Sequence, residues 1–288
     1  MSTTRRTFLL ASFSALAAVG CSKGPRSKAA GNSSITAPAP LRDKRIAYGD
    51  DPDQHGMLSV PVAVDGLLPL VVLIHGGFWR TPYGADLMRP LAADLVSRGF
   101  AVWNIEYRRV GQRGGGFPGT LTDVALAVDH IATLAVEYRL DQDRVAVVGH
   151  SAGGHLALWA NSRRLLHVAD PGSNPIVRPK LAIGLAAVVD LFTAASTGLG
   201  GDAVQELLGG EATEVPENYR VAQPNLDVGT VVLIHGSDDT IVPPAQSASE
   251  TSRSNVTVTI IPGLDHFDMI ATKSPSWSAT TDQLRTKV

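Results

Sequence analysis

Residues 145–155 constrain the fold of this chain more than any other stretch. A β-branched run, Val145-Ala146-Val147-Val148, meets Gly149-His150-Ser151-Ala152-Gly153 and passes into a helix-like segment over residues 156–161. A G-x-S-x-G pentapeptide between a strand and a helix makes a sharp turn that presents its serine as an exposed nucleophile. Its glycines answer to crowding, since a Cβ two residues before or after Ser151 would meet the flanking strand or helix. Taken alone, the pentapeptide also fits a glycine-rich turn whose serine caps a helix. Partners for Ser151 elsewhere in the chain decide between the two.

Around this stretch, β-type runs alternate with helical patterns. That alternation is the mark of an α/β fold with a mostly parallel central sheet and helices on both faces. Residues 45–48 and 57–64 read as an opening antiparallel pair. Leu70-Val71-Val72-Leu73-Ile74 is a continuous apolar run of the kind found in strands buried on both faces. A helix over 85–98, a strand over 100–105 and a longer helix over 121–137 lead to the serine strand. Strands over 181–188, 230–234 and 256–261 follow it. A closing helix over 277–284 is weakly marked, because few of its positions are apolar.

Ligands of open α/β sheets collect outside the carboxyl ends of the strands, and three further stretches fall there. In His75-Gly76-Gly77-Phe78-Trp79 the paired glycines let backbone N–H groups turn inward. Gly77 or Phe78 can then form an oxyanion hole with the N–H of Ala152; the plainer reading is a tight strand-to-loop turn. His235-Gly236-Ser237-Asp238-Asp239-Thr240-Ile241-Val242-Pro243 offers two carboxylates, Asp238 and Asp239. Pro262-Gly263-Leu264-Asp265-His266 places a histidine in the turn after the last strand. The chain order is then serine, aspartate, histidine. In that arrangement His266 takes the proton of Ser151, and the aspartate holds the imidazole tautomer and stabilises the imidazolium. Asp190, at the end of an earlier strand, is a third acid and better suits anchoring its own loop.

These four ordered motifs resemble the α/β-hydrolase superfamily. More narrowly, they resemble the small esterases grouped with BD-FAE-type carboxylesterases, kynurenine-formamidase-like hydrolases and the catalytic domains of the prolyl oligopeptidase (S9) family. The likeness runs from about residue 45 to residue 270 and includes the connecting segment 207–219. It implies a triad of Ser151, Asp239 and His266, because the family's acid precedes x-x-Val-Pro and so falls on Asp239 rather than Asp238. It also implies oxyanion donors at the backbone of Gly77 or Phe78 and of Ala152. Trp79 matches the His-Gly-Gly-x-Trp version seen in formamidase-like members, where it either touches substrate or packs the turn.

The N-terminus reads differently. Arg5-Arg6-Thr7-Phe8-Leu9 leads into an Ala-rich apolar run ending at Gly20-Cys21. Residues 1–21 read as an export signal that resembles a twin-arginine signal with a lipobox. Cys21 is the single cysteine of the chain, so an internal disulfide is excluded; lipidation accounts for it better than an incidental cysteine behind an ordinary cleaved signal does. The apolar run stops short of the ~20 residues a membrane span needs. Residues 22–40, rich in Ser, Ala, Gly and Pro, read as a flexible tether. Residues 41–288 are then one catalytic domain. The expected location is extracellular or periplasmic, with membrane contact through the N-terminal lipid alone.

Other residues draw plainer readings. A formal net charge of −2 with no basic stripe argues against nucleic acid. His75, His150, His155 and His235 lack the spacing of a zinc site and suit backbone or loop hydrogen bonds, so no metal is expected; no cofactor is implied either. Tyr107-Arg108-Arg109 suits bracing of the following loop, Gly114-Gly115-Gly116-Phe117 a flexible surface loop, and Asp123 a cap or pin. Residues 190–223 leave room for a short helix and loop, not for a large lid domain, which implies an open pocket and short-acyl substrates.

The reading that results is a serine hydrolase cleaving short-acyl carboxylic esters, free or as exposed acyl side groups, through an acyl-enzyme on Ser151. The alternative within enzymes is an amide hydrolase, an arylformamidase or a small S9-like peptidase. The alternative outside enzymes is a surface binding protein on the same scaffold.

Overall fold

The computed structural model describes residues 42–62 and 65–288. The export signal, Cys21 and the tether lie outside the described residues. The strands are β1 (Arg42–Ala47), β2 (His55–Val60), β3 (Leu68–Ile74), β4 (Ala101–Ile105), β5 (Leu140–His150), β6 (Leu181–Leu185), β7 (Thr230–Gly236) and β8 (Val256–Ile261). The α-helices are α1 (Arg89–Ser97), α2 (Gly119–Asp129), α3 (Ile131–Tyr138), α4 (Ala152–Ser162), α5 (Leu191–Ser196), α6 (Ala203–Leu208), α7 (Pro216–Ala222), α8 (Ala245–Ala248) and α9 (Pro275–Lys287).

The strands form one eight-stranded sheet in the order β1-β2-β4-β3-β5-β6-β7-β8. β1 and β2 are antiparallel additions, and β3 to β8 run parallel. The chain steps outward from β3 to β4 and then crosses back to place β5 on the other side of β3. The strand order therefore reverses between β3 and β5, and the crevice at their carboxyl ends is where such a sheet opens for a ligand.

Strand β3 shows why the core forms. Leu70, Val72 and Ile74 face one side with Trp103, Val147, Leu156 and Trp159, while Val71 and Leu73 face the other with Leu91, Leu95, Val148 and Trp277. Alternate residues of a strand point to opposite faces, so a run that is apolar throughout is stable only between two layers. Helices α2, α3 and α4 supply one layer, and α1 and α9 the other.

Three expectations need correction. The helix expected over 121–137 is two helices meeting at His130, whose carbonyl takes the N–H of both Thr133 and Leu134. Together they are long and apolar enough to cross a membrane by length and composition, but Leu121, Val124, Val128, Ile131 and Leu134 are buried in the core. The closing helix is longer than expected because its buried face carries hydroxyls: Ser276 Oγ donates to Asp268 O at 2.8 Å and Thr280 Oγ1 to Ser276 O at 2.8 Å. Such residues bury well once bonded to backbone, yet an apolar pattern does not register them. Finally, residues 114–117 are a pinned turn. Thr120 Oγ1 donates to Arg108 O and accepts from Gly116 N, and Phe117 N donates to Leu207 O at 2.6 Å.

Candidate active site

Ser151 sits at the reversal between β5 and α4 with φ 58° and ψ −123°, a backbone conformation that L-residues avoid. Crowding holds it there. A Cβ on Gly149 would stand 1.9 Å from Gly153 O, and one on Gly153 would stand 2.2 Å from Ile74 O, so only glycine fits either position. Ser151 N donates to Leu185 O at 2.8 Å, which ties the elbow to β6.

The β3 turn lies directly against the elbow, since a Cβ on Gly76 would reach Ser151 Cβ at 3.0 Å. Gly77, Phe78 and Trp79 all have positive φ, of 110°, 53° and 57°. The N–H groups of Gly77, Phe78 and Ala152 have no acceptor among the described residues. His75 explains the orientation of the first. Its Nδ1 lies 2.8 Å from Gly76 O and its Nε2 2.8 Å from Glu106 Oε1. Both partners are acceptors, so a ring nitrogen that engages either does so as a donor. Holding the Gly76 carbonyl to one side of its trans peptide directs the Gly77 N–H to the other.

Glu106 completes this support. Burial would raise its carboxyl, but the hydrogen bond and charge of His75, the Ala85 N–H and the Arg109 guanidinium outweigh that and hold it at about 2. Tyr107 stacks on His75 at 4.3 Å between ring centroids and donates its hydroxyl to His75 O at 2.9 Å. Neither role was legible from residue type. The signal was positional: Ile74 pairs with Ile105 in the parallel register, which sets His75 beside Glu106.

Of the two candidate acids, the structure brings Asp239 to His266. His266 Nδ1 lies 2.7 Å from Asp239 Oδ2. Asp239 Oδ1 accepts from the N–H groups of Ile241 and Val242, each at 2.8 Å. Burial would raise this carboxyl as well; donors on His235 and His266, the charge at His266 and the Val242 N–H hold it well below the usual carboxylate range. Asp238 faces away and accepts from Ser237 Oγ at 2.6 Å. Asp190 caps α5, taking the N–H groups of Phe192 and Thr193.

Ser151 and His266 converge through His150, whose Nε2 donates to His266 O at 3.0 Å and whose ring centroid is 4.5 Å from that of His266. Burial, then the charge at His266, lowers His150 to about 3, so it stays neutral and does not compete as a base. No hydrogen bond joins the Ser151 hydroxyl to the His266 ring in this conformation, a separation that closes on substrate binding in many hydrolases. Ser151 and His266 are 3 % and 4 % exposed. Three short helices, α5, α6 and α7, lie within 191–222, and Arg80 ties α6 and the loop before it to the β3 turn through Glu206 Oε2 at 2.5 Å and Gly200 O at 3.0 Å.

Trp79 does not reach the site. It is fully buried, and its indole N–H donates to His155 Nδ1 at 3.2 Å while His155 Nε2 donates to Ala222 O at 2.9 Å. Burial lowers His155 to about 4, which keeps Nδ1 free to accept. Of the two roles expected for Trp79, the packing one accounts for these contacts and substrate contact does not. Asp123, Arg108 and Arg109 brace the loop as expected: Arg108 is held by Asp123 through three donors, and Arg109 by Gln112 and the Tyr83 carbonyl. Among the described residues no group of three or more His, Cys, Asp or Glu side chains is placed to hold a metal ion.

Sheet order, elbow and strand-end residues define an α/β-hydrolase fold with a serine, an imidazole and a carboxylate at the switch point. Within that class the chain belongs to the BD-FAE family, whose model matches residues 58–253. It is 32 % identical over 117 residues to isoprenylcysteine alpha-carbonyl methylesterase ICME of Arabidopsis thaliana, covering 41 % of this chain and 27 % of that protein. Esterase LipC of Mycobacterium tuberculosis is 27 % identical over 246 residues, 79 % of this chain and 60 % of its own. The chain spans about half the length of several curated relatives that it matches. Among solved structures, esterase B from Lactobacillus rhamnosis superposes with a TM-score of 0.73 at 24 % identity, over 86 % of this chain and 85 % of that one.

Proposed function

We propose that this protein is a serine carboxylesterase that cleaves short-acyl esters through an acyl-enzyme on Ser151. The observation that carries the reading is the 2.7 Å contact between His266 Nδ1 and Asp239 Oδ2, set against a strained serine elbow. With Nδ1–H given to Asp239, His266 Nε2 carries the lone pair that accepts the Ser151 proton as Oγ attacks the ester carbonyl. Negative charge then develops on the carbonyl oxygen. The N–H groups of Ala152 and of Gly77 or Phe78 have no competing acceptor among the described residues and receive it. His266 returns the proton to the leaving alcohol, and water repeats the sequence to release the acid and restore Ser151.

The relatives named as esterases support an ester over an amide. The segment 191–222 holds three short helices and not a large lid domain, which supports a short acyl group. Amide cleavage, as in formamidase-like or S9-like hydrolases, is the second reading and rests on the His-Gly-Gly-Phe-Trp motif at 75–79. Export and lipidation at Cys21 are part of the proposal and rest on the N-terminal sequence alone; a lipid anchor would present the enzyme to extracellular or periplasmic esters.

The test compares p-nitrophenyl acetate, butyrate and octanoate with N-formylkynurenine and a prolyl-p-nitroanilide. Ser151-dependent turnover that is highest on the acetate or butyrate supports the reading. Preference for N-formylkynurenine by orders of magnitude replaces it with the amide reading. Globomycin sensitivity and palmitate labelling that is lost in Cys21→Ala test the anchor; a soluble, unlabelled protein removes it.

A further inference from the structure

The buried imidazole of His235 has no part in the chemistry above, yet it touches the acid of the triad. It lies at the carboxyl end of β7 and is fully buried. Its Nε2 is 2.9 Å from Val242 O and 3.2 Å from Asp239 Oδ2. Both are acceptors, so Nε2 must carry the proton and shares it between them. On the other side of the ring, Nδ1 lies 2.8 Å from Ser247 Oγ, and Ser247 is fully buried as well. A hydroxyl can donate or accept there; with the hydroxyl donating, the ring is neutral and its proton sits on Nε2. A second imidazolium beside His266 would have to share the single charge of Asp239 in a buried setting.

These contacts close a ring. The N–H of His235 holds Val242 O, the N–H of Val242 holds Asp239 Oδ1 at 2.8 Å, and Asp239 Oδ2 returns to His235. Asp239 thus has donors directed at both oxygens before His266 is counted. A carboxylate so engaged has little freedom to rotate and little basicity to spare.

We infer that His235 is a positioning residue of the triad: a neutral imidazole, its tautomer held by the Ser247 hydroxyl, that locks the loop 239–242 and keeps Asp239 an acceptor that orients His266 without taking its proton. The inference rests on the esterase reading for its kinetic consequence but not for its geometry.

The test uses the full chain in four forms: wild type, His235→Gln, His235→Leu and Ser247→Ala. Glutamine carries an amide N–H to the position of Nε2; leucine carries none. On p-nitrophenyl acetate, His235→Leu should lower kcat by roughly 10- to 100-fold with KM within about twofold, because a displaced aspartate misaligns His266 without altering the binding cleft. His235→Gln should recover kcat to within about threefold of wild type, and Ser247→Ala should lose several-fold. Equal losses in the Gln and Leu variants would assign the effect to packing and overturn the inference, as would kcat within threefold of wild type in both.

Long-range 1H–15N spectra of histidine-labelled protein supply a readout independent of turnover, with the His235 signal identified by its disappearance in His235→Gln. A neutral Nε2–H tautomer for His235 between pH 5 and 8, altered in Ser247→Ala, supports the assignment. A neutral Nδ1–H tautomer or an imidazolium across that range overturns it, including where His235→Leu does not fold. Should wild type neither turn over esters nor react with a fluorophosphonate, the esterase reading fails, and the spectra still decide how His235 holds the acid loop.

Discussion

Glu106→Gln tests whether the β3 turn stands on a buried ion pair. Glu106 meets His75 Nε2 at 2.8 Å and accepts from Ala85 N at 3.0 Å. Its carboxyl is held at about 2 in the folded protein against an ordinary 4.5. A depressed carboxyl contributes stability that is complete above its unfolded value and is lost as pH falls toward the folded one, here between about 4.5 and about 2. A depression of this size is worth on the order of 3 kcal/mol at pH 7, and the same linkage leaves about 2 kcal/mol at pH 3.5. Glutamine keeps the shape but cannot ionise, so its penalty should shrink by roughly 1 kcal/mol between the two pH values. Urea titrations of both proteins at pH 7 and pH 3.5 measure this directly. Trp79, Trp103, Trp159 and Trp277 are all fully buried, so tryptophan fluorescence reports unfolding of the core. A penalty that is the same at both pH values would refute the argument, because Glu106 would then not be paired as an ion.

Further outcomes follow from the same geometry. Asp239→Asn should cut kcat by roughly 10³- to 10⁴-fold through loss of the His266 tautomer, while Asp238→Asn stays within about twofold; steady-state kinetics on p-nitrophenyl acetate separates them. Gly153→Ala places a methyl 2.2 Å from Ile74 O and 2.3 Å from His75 O, and the variant should lose its cooperative thermal transition or melt far below wild type in calorimetry. Trp79→Phe removes the hydrogen bond to His155 and should cost about 1 kcal/mol of stability in urea with KM for short esters unchanged. A changed KM would return Trp79 to the substrate cleft.

Much of this was legible in the sequence, and the reasons differ by element. The strands read well because β3 and β5 to β7 are apolar on both faces, a pattern few other structures tolerate. The elbow read well because a serine between close-packed glycines after a strand has few other uses. Asp239 was separable from Asp238 by its place before x-x-Val-Pro, and the structure gives the physical ground: Asp239 Oδ1 takes the N–H groups of Ile241 and Val242.

What escaped was set by packing across the sheet. Glu106 and Tyr107 support the β3 turn from an adjacent strand, 31 and 32 residues from His75, and His235 supports the acid loop from inside the fold. Four histidines beside the motifs were expected to satisfy backbone or loop groups, and each has a carbonyl partner: Gly76 for His75, His266 for His150, Ala222 for His155 and Val242 for His235. Residues 190–223 were expected to hold a short helix and loop and hold three short helices, each too short for its apolar period to stand out. The closing helix was underread because hydroxyl residues line its buried side.

The central claim is that Ser151 is the nucleophile of an esterase. Fluorophosphonate labelling of wild type and Ser151→Ala, followed by peptide mass analysis and assayed beside p-nitrophenyl acetate turnover, tests it most directly. The account predicts one label per chain on the peptide containing Ser151, turnover that disappears in step with labelling, and neither in Ser151→Ala. Turnover or labelling that survives the substitution would contradict it.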